Sequence, residues 1–166
     1  MTSQLKLAYF DDLAVEHFDE DFDYVENAQS ALDAFLAKTK EDRLADSRHV
    51  FAYYRDFLGA VGADWAHADM ETIPEDPADI WNFVTPSSIA LMSGNDEANL
   101  GIPFVVLEAN CAWEMEHGLL MAWRQGKDLW KVSGYDGHPT HSTSRKQTSD
   151  GRIIYDATDN QFTTFA

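Results

Sequence analysis

The spacing of apolar positions changes several times along the chain, and each change marks an element. Leu5, Leu7 and Tyr9 alternate with Lys6, Ala8 and Phe10, which predicts a short strand over residues 5–10. From Val25 the period becomes helical. Val25, Ala28, Leu32, Phe35 and Leu36 predict a helix over about residues 27–38, with Asn27 as its N-cap. A second helix is predicted over 41–60: Leu44, Phe51 and Leu58 lie seven apart, as do Ser47, Tyr54 and Val61. Val50 and Phe57 broaden that stripe, and Gly59 and Gly62 supply the stop. Residues 62–77 are acidic and irregular, with Trp65, His67 and Met70 as candidate anchors. Asp76-Pro77 then opens a short helix running to about Phe83, with Pro at its first position.

Beyond Pro86 the period becomes that of strands. Residues 88–92 form one candidate, and Ser93-Gly94-Asn95-Asp96 a turn. Residues 102–108 form another, with Pro103 marking an edge or a strand start. Residues 118–124 alternate cleanly and are followed by Gln125-Gly126 and a strand over 127–133, the pattern of a hairpin. The tail over 142–166 is polar, with Asp150-Gly151 as a further turn before Ile153, Ile154 and Tyr155. The expected class is α+β: an N-terminal antiparallel helix pair packed on a mainly antiparallel sheet of hairpins in the C-terminal half. The 166 residues are expected to form one domain in three parts, an acidic segment over 1–26, a helical part over 27–84 and a sheet part over 85–166.

Charge narrows the function. There are 29 acidic residues against 12 Lys plus Arg, a formal net charge of −17. A sequence-independent nucleic-acid binder needs a basic footprint, so that class is excluded, and an anionic membrane surface is disfavoured for the same reason. The one cysteine allows no internal disulfide, and the opening residues lack a basic stretch followed by an apolar one. A cytoplasmic location is expected. The charge is also uneven. Residues 1–83 hold 19 acids against 6 bases, and residues 84–166 hold 10 against 6. Between Leu7 and Ala37 there are nine carboxylates and no Lys or Arg, interleaved with Tyr9, Phe10, Phe18, Phe22 and Tyr24. Such a run is either a solvated loop with its aromatics in the core, or a docking surface for a basic partner. On the second reading Asp19, Glu20, Asp21 and Asp23 steer the partner, and Phe18, Phe22 and Tyr24 anchor it. Calcium binding by the same run is disfavoured, because it lacks the glycine and the terminal glutamate of an EF-hand loop.

A second cluster collects reactive side chains. Cys111, Glu114, Glu116 and His117 precede the predicted hairpin, and Asp136, His138 and His141 follow it, so the hairpin returns the two groups to one sheet edge. Three chemistries fit. Glu114, His117, Asp136, His138 and His141 offer a ligand set for a divalent metal such as zinc, at a spacing that matches no standard motif. Cys111, Glu116 and His117 offer a nucleophile with base and orienting acid, although carboxylates nearby disfavour a thiolate. The plainest reading is a structural corner: Glu114 or Glu116 accepts backbone N–H bonds, His117 bonds across the turn, Gly118 adopts a backbone closed to other residues, and Trp113 packs inside. On that reading no cofactor is expected.

The stretch Cys111-Ala112-Trp113-Glu114-Met115-Glu116-His117-Gly118-Leu119 resembles the signature C-x-W-[D/E]-x-E-H-G-[L/V] of an uncharacterised bacterial family. Gly134-Tyr135-Asp136-Gly137-His138 is similar to the glycine-acid turn that ends the following hairpin in that family. Tyr53-Tyr54, Pro74 and residues 80–84 are similar to its upstream elements. The resemblance runs over roughly residues 25–138 and implies a fold and a corner; no activity comes with it. The functional expectation is a small acidic binding protein of the immunity or antitoxin type, inhibiting a basic partner such as a toxin nuclease, rather than an enzyme. The alternatives are a metalloprotein or enzyme built on the Cys111–His138 cluster, and a structural module of a larger assembly.

Overall fold

A computed structural model describes residues 2–18 and 27–140, and shows one sheet with helices carried by the chain between its second and third strands. The strands are β1 (Thr2–Leu7), β2 (Leu13–Phe18), β3 (Val84–Ser93), β4 (Pro103–Cys111), β5 (Glu114–Arg124) and β6 (Asp128–Ser133), lying side by side in chain order. Every neighbouring pair is antiparallel except β2 and β3, which run parallel. A parallel pair requires a long crossover. Helices α1 (Ala28–Leu36), α2 (Lys40–Val61) and α3 (Ala63–Ala66), and a 3₁₀ helix over Pro77–Phe83, fill it. The class is α+β, with a mostly antiparallel sheet. No helix among the described residues is long and apolar enough to cross a membrane. The predicted turn at Asp150-Gly151 and the residues after it lie outside the described residues.

The N-terminal strand stops at Leu7, short of its predicted end at Phe10. A 3₁₀ turn over Ala8–Phe10 sends both aromatic rings inward, and Tyr9 and Phe10 meet edge to face at 5.1 Å. Asp11 and Asp12, at φ 53° and 62°, reverse the chain into β2. That strand was not predicted: only Val15 and His17 are buried along it, and a polar residue at one of two inward positions hides the alternation. The hairpin β1–β2 thus adds an N-terminal part to the sheet.

Helix α2 begins where Asp42 accepts the backbone N–H of Thr39 at 2.8 Å. Of the expected stripe, Ser47, Val50 and Tyr54 are buried and Phe51, Phe57 and Leu58 pack against the core, whereas the end positions Leu44 and Val61 are 46% and 41% exposed and Arg43 and Tyr53 are buried as well. The burial of Arg43 has a physical cause. Arg43 lays its guanidinium over the rings of Phe10 and Trp81, 5.5 and 5.8 Å from their centroids, and bonds Asp11 at 2.9 Å. Ser47 accepts the indole N–H of Trp81 at 2.8 Å. Asn27, read as an N-cap, sits at φ 64° and makes no capping bond; a left-handed backbone departs from the extended geometry of a side-chain cap.

The helix-covered face of the sheet holds the main core, in which Phe35, Tyr9 and Trp123 pack together beside Leu107, Leu119 and Met121. Phe104, Val106, Leu120 and Ala122 form a smaller cluster, with Met92, Ile102, Trp130 and Tyr135 against it. Pro103 is the first residue of β4, a strand paired on both sides. Gln125 and Gly126 both have positive φ, 53° and 70°, within the three-residue connection that joins Arg124 to its partner Asp128.

Candidate functional site

The β4–β5 turn carries the reactive cluster, and its geometry follows from a mismatch in register. Ala109 faces Leu119 and Cys111 faces Glu114, so Met115, Glu116, His117 and Gly118 stand opposite Asn110 alone. The excursion leaves donors without ladder partners, and the Glu114 carboxylate collects them. Its Oε1 accepts the backbone N–H of Glu116 at 3.0 Å and of His117 at 3.2 Å, and its Oε2 lies 2.8 Å from His117 Nδ1. Glu114 is buried, whereas Glu116 is exposed. Gly118 closes the excursion at φ +72°, where a Cβ would come within 2.5 Å of the Ala109 carbonyl. The Gly118 carbonyl in turn accepts the buried Tyr53 hydroxyl at 2.7 Å.

Cys111 is buried beneath this turn, its thiol 3.4 Å from the Glu114 carbonyl oxygen. Burial pushes the thiol far above its ordinary range, so it stays protonated. His117 is engaged by Glu114, not by Cys111. The arrangement of an activated nucleophile, a thiol bonded to its base, is not present in this geometry.

Gly134 lies near both His117 and Glu114, so the two segments do approach one another. Asp136 nevertheless turns to the fully buried Lys131, whose ammonium bonds its carboxylate at 2.6 Å and the His138 carbonyl at 3.0 Å. The other Asp136 oxygen accepts the His138 N–H at 3.0 Å, and His138 itself is exposed. Among the described residues no three His, Cys, Asp or Glu side chains are placed to hold a metal ion. His141 lies outside the described residues.

Of the acidic docking run, only Phe18 is described; Asp19, Glu20, Asp21, Phe22, Asp23 and Tyr24 are not. Phe18 is half-buried and lines a depression with Val106 and Tyr135.

The profile of a domain family of unknown function, DUF6985, matches residues 2–139. The chain belongs to this family. No curated protein and no solved structure matches it. The DUF6985 match spans the whole described sheet and ends one residue before Thr140, which is fully buried and bonded to Asn95.

A second surface of this DUF6985 chain escaped the sequence reading. Trp65 of α3 is 73% exposed and Met115 of the β4–β5 turn 69% exposed. Both line a groove of about 310 Å³ that also includes Phe57, Trp113, Asp69 and Glu116. The sequence does carry a signal for it: from Asp56 to Trp123 there is no Lys or Arg at all, a longer base-free stretch than the N-terminal one.

Proposed function

We propose that this chain is a small acidic cytoplasmic binding protein of the immunity or antitoxin type, which holds and neutralises a basic partner such as a toxin nuclease. The observation that carries this reading is the distribution of charge. Besides the nine carboxylates between Leu7 and Ala37, the stretch between Arg55 and Arg124 holds Asp56, Asp64, Asp69, Glu71, Glu75, Asp76, Asp79, Asp96, Glu97, Glu108, Glu114 and Glu116 without one Lys or Arg. A field of one sign attracts an oppositely charged protein and raises its rate of encounter, most strongly at low salt. Carboxylates that covered a cationic active site would exclude the anionic substrate of a nuclease. Burial of the Cys111 thiol and the inward engagement of Glu114 support binding over catalysis.

Co-expression with the products of neighbouring genes tests the reading. A basic protein is expected to co-purify, and charge reversal at Asp19, Glu20, Asp21 and Asp23 is expected to weaken the complex about tenfold or more at low salt. Recovery of no basic partner, or a complex indifferent to charge reversal, overturns it.

A further inference from the structure

We propose that the groove between α3 and the β4–β5 turn docks an extended basic segment of a partner protein, one that sets an apolar side chain beside a Lys or Arg. The inference rests on the partner being basic, and adds which surface receives it and what chemistry it reads. Large apolar side chains on this protein are mostly buried, and Trp113 and Trp123 are 2% and 0% exposed. Seven large apolar side chains among the described residues depart from that rule; the two most exposed, Trp65 and Met115, lie on one groove, apart from Leu100 at 67% and Ile73 at 51%.

Neighbours of each are tied to the core. His67 anchors the end of α3, its Nε2 2.7 Å from the Tyr54 hydroxyl and its ring stacked on Tyr54 at 5.9 Å, while Ala66 is buried. Tyr54 packs edge to face on Trp113 at 5.7 Å, and Trp113 lines the groove. On the other wall Glu114 turns inward to collect the backbone donors, which leaves Met115 outward. The backbone that presents the two side chains is thus tied to the core on both walls.

Charge complementarity decides the occupant. Asp69 and Glu116 line the groove, and among the described residues no Lys, Arg or His does. A second depression, of about 420 Å³, shares Asp69, Ala112 and Met115 and likewise lacks a cation among those residues. An indole face flanked by carboxylates suits a guanidinium or ammonium, and an adaptable Met suits an adjoining aliphatic side chain. A second copy of this chain would bring its own net charge of −17 against the same carboxylates.

The test uses the full chain, labelled for NMR at indole N–H groups and methionine methyls, titrated with a synthetic peptide of alternating Arg and Leu. The expected result is a shift of the Trp65 indole and Met115 methyl signals, weakened about tenfold or more by Trp65→Ser or Met115→Ser, and absent with a Gln-Leu peptide. Shifts confined to other residues, no shift, or equal binding of the Gln-Leu peptide overturn the proposal. So does a dimer in light scattering that Trp65→Ser dissolves, since the groove then belongs to a second copy. Failure here is separable from failure of the functional reading. A co-purified basic partner held equally well by Trp65→Ser rejects the groove alone. A peptide seated on the groove of a chain that no neighbouring gene product engages rejects the toxin partner alone.

Discussion

At the scale of single residues Glu114 is a test of the turn, since one buried carboxylate serves two backbone N–H groups and the His117 ring. Glu114→Ala leaves those donors unmet, and a loss of about 2–4 kcal/mol in urea unfolding is expected, with Glu114→Gln costing less because one acceptor remains. A cost below about 0.5 kcal/mol would mean that the turn does not depend on the carboxylate. Cys111 offers a kinetic check. Its buried, protonated thiol should resist a disulfide reagent at neutral pH until the chain unfolds, whereas rapid reaction in the native state would restore the nucleophile reading. The sequence showed Glu114, Glu116 and His117 as a group but not which carboxylate turns inward. That choice depends on the register slip between Ala109 and Cys111, which no local pattern encodes.

At the scale of elements, the strands with clean alternation and both main helices were legible, because apolar period is a local property. The face of α2 was legible too, except at its two ends. Leu44 outranks Arg43 in hydrophobicity, yet Arg43 is buried, because Asp11, Phe10 and Trp81 arrive from distant parts of the chain to receive it. The same interface places Asp46 against the buried Tyr9 hydroxyl at 2.9 Å. Burial raises the Asp46 carboxyl above its ordinary value of 3.8, and the Tyr9 hydrogen bond only partly opposes the shift. A carboxyl raised on folding contributes stability that is fully present below the unfolded value and is lost as pH rises through the folded one. Asp46→Asn keeps an acceptor for Tyr9 and removes that loss. The wild-type unfolding temperature is therefore expected to fall relative to the variant as pH rises from about 3.8, and parallel pH profiles would contradict this assignment. Asp42→Ala, which frees the Thr39 N–H at the start of α2, is expected to cost about 1 kcal/mol in the same assay.

For the whole molecule, the β4–β5 turn has two sides: Glu114 and His117 engage one another, while Met115 and Glu116 line the groove shared with Trp65 and Asp69. The sheet was legible as a class, while the N-terminal hairpin and the parallel β2–β3 pairing were not, since both depend on contacts far apart in sequence. The excess of acid was legible from the start; that Trp65 and Met115 share one groove with Asp69 and Glu116 became visible only with the fold. Growth rescue, with the product of each neighbouring gene expressed beside this chain, addresses the central claim most directly. Wild type and Cys111→Ala are predicted to protect cells from a basic toxin, and a variant with Asp19, Glu20, Asp21 and Asp23 changed to amides is predicted to lose protection. Protection that survives the amide changes but is abolished by Cys111→Ala would contradict the account and move the function to the turn.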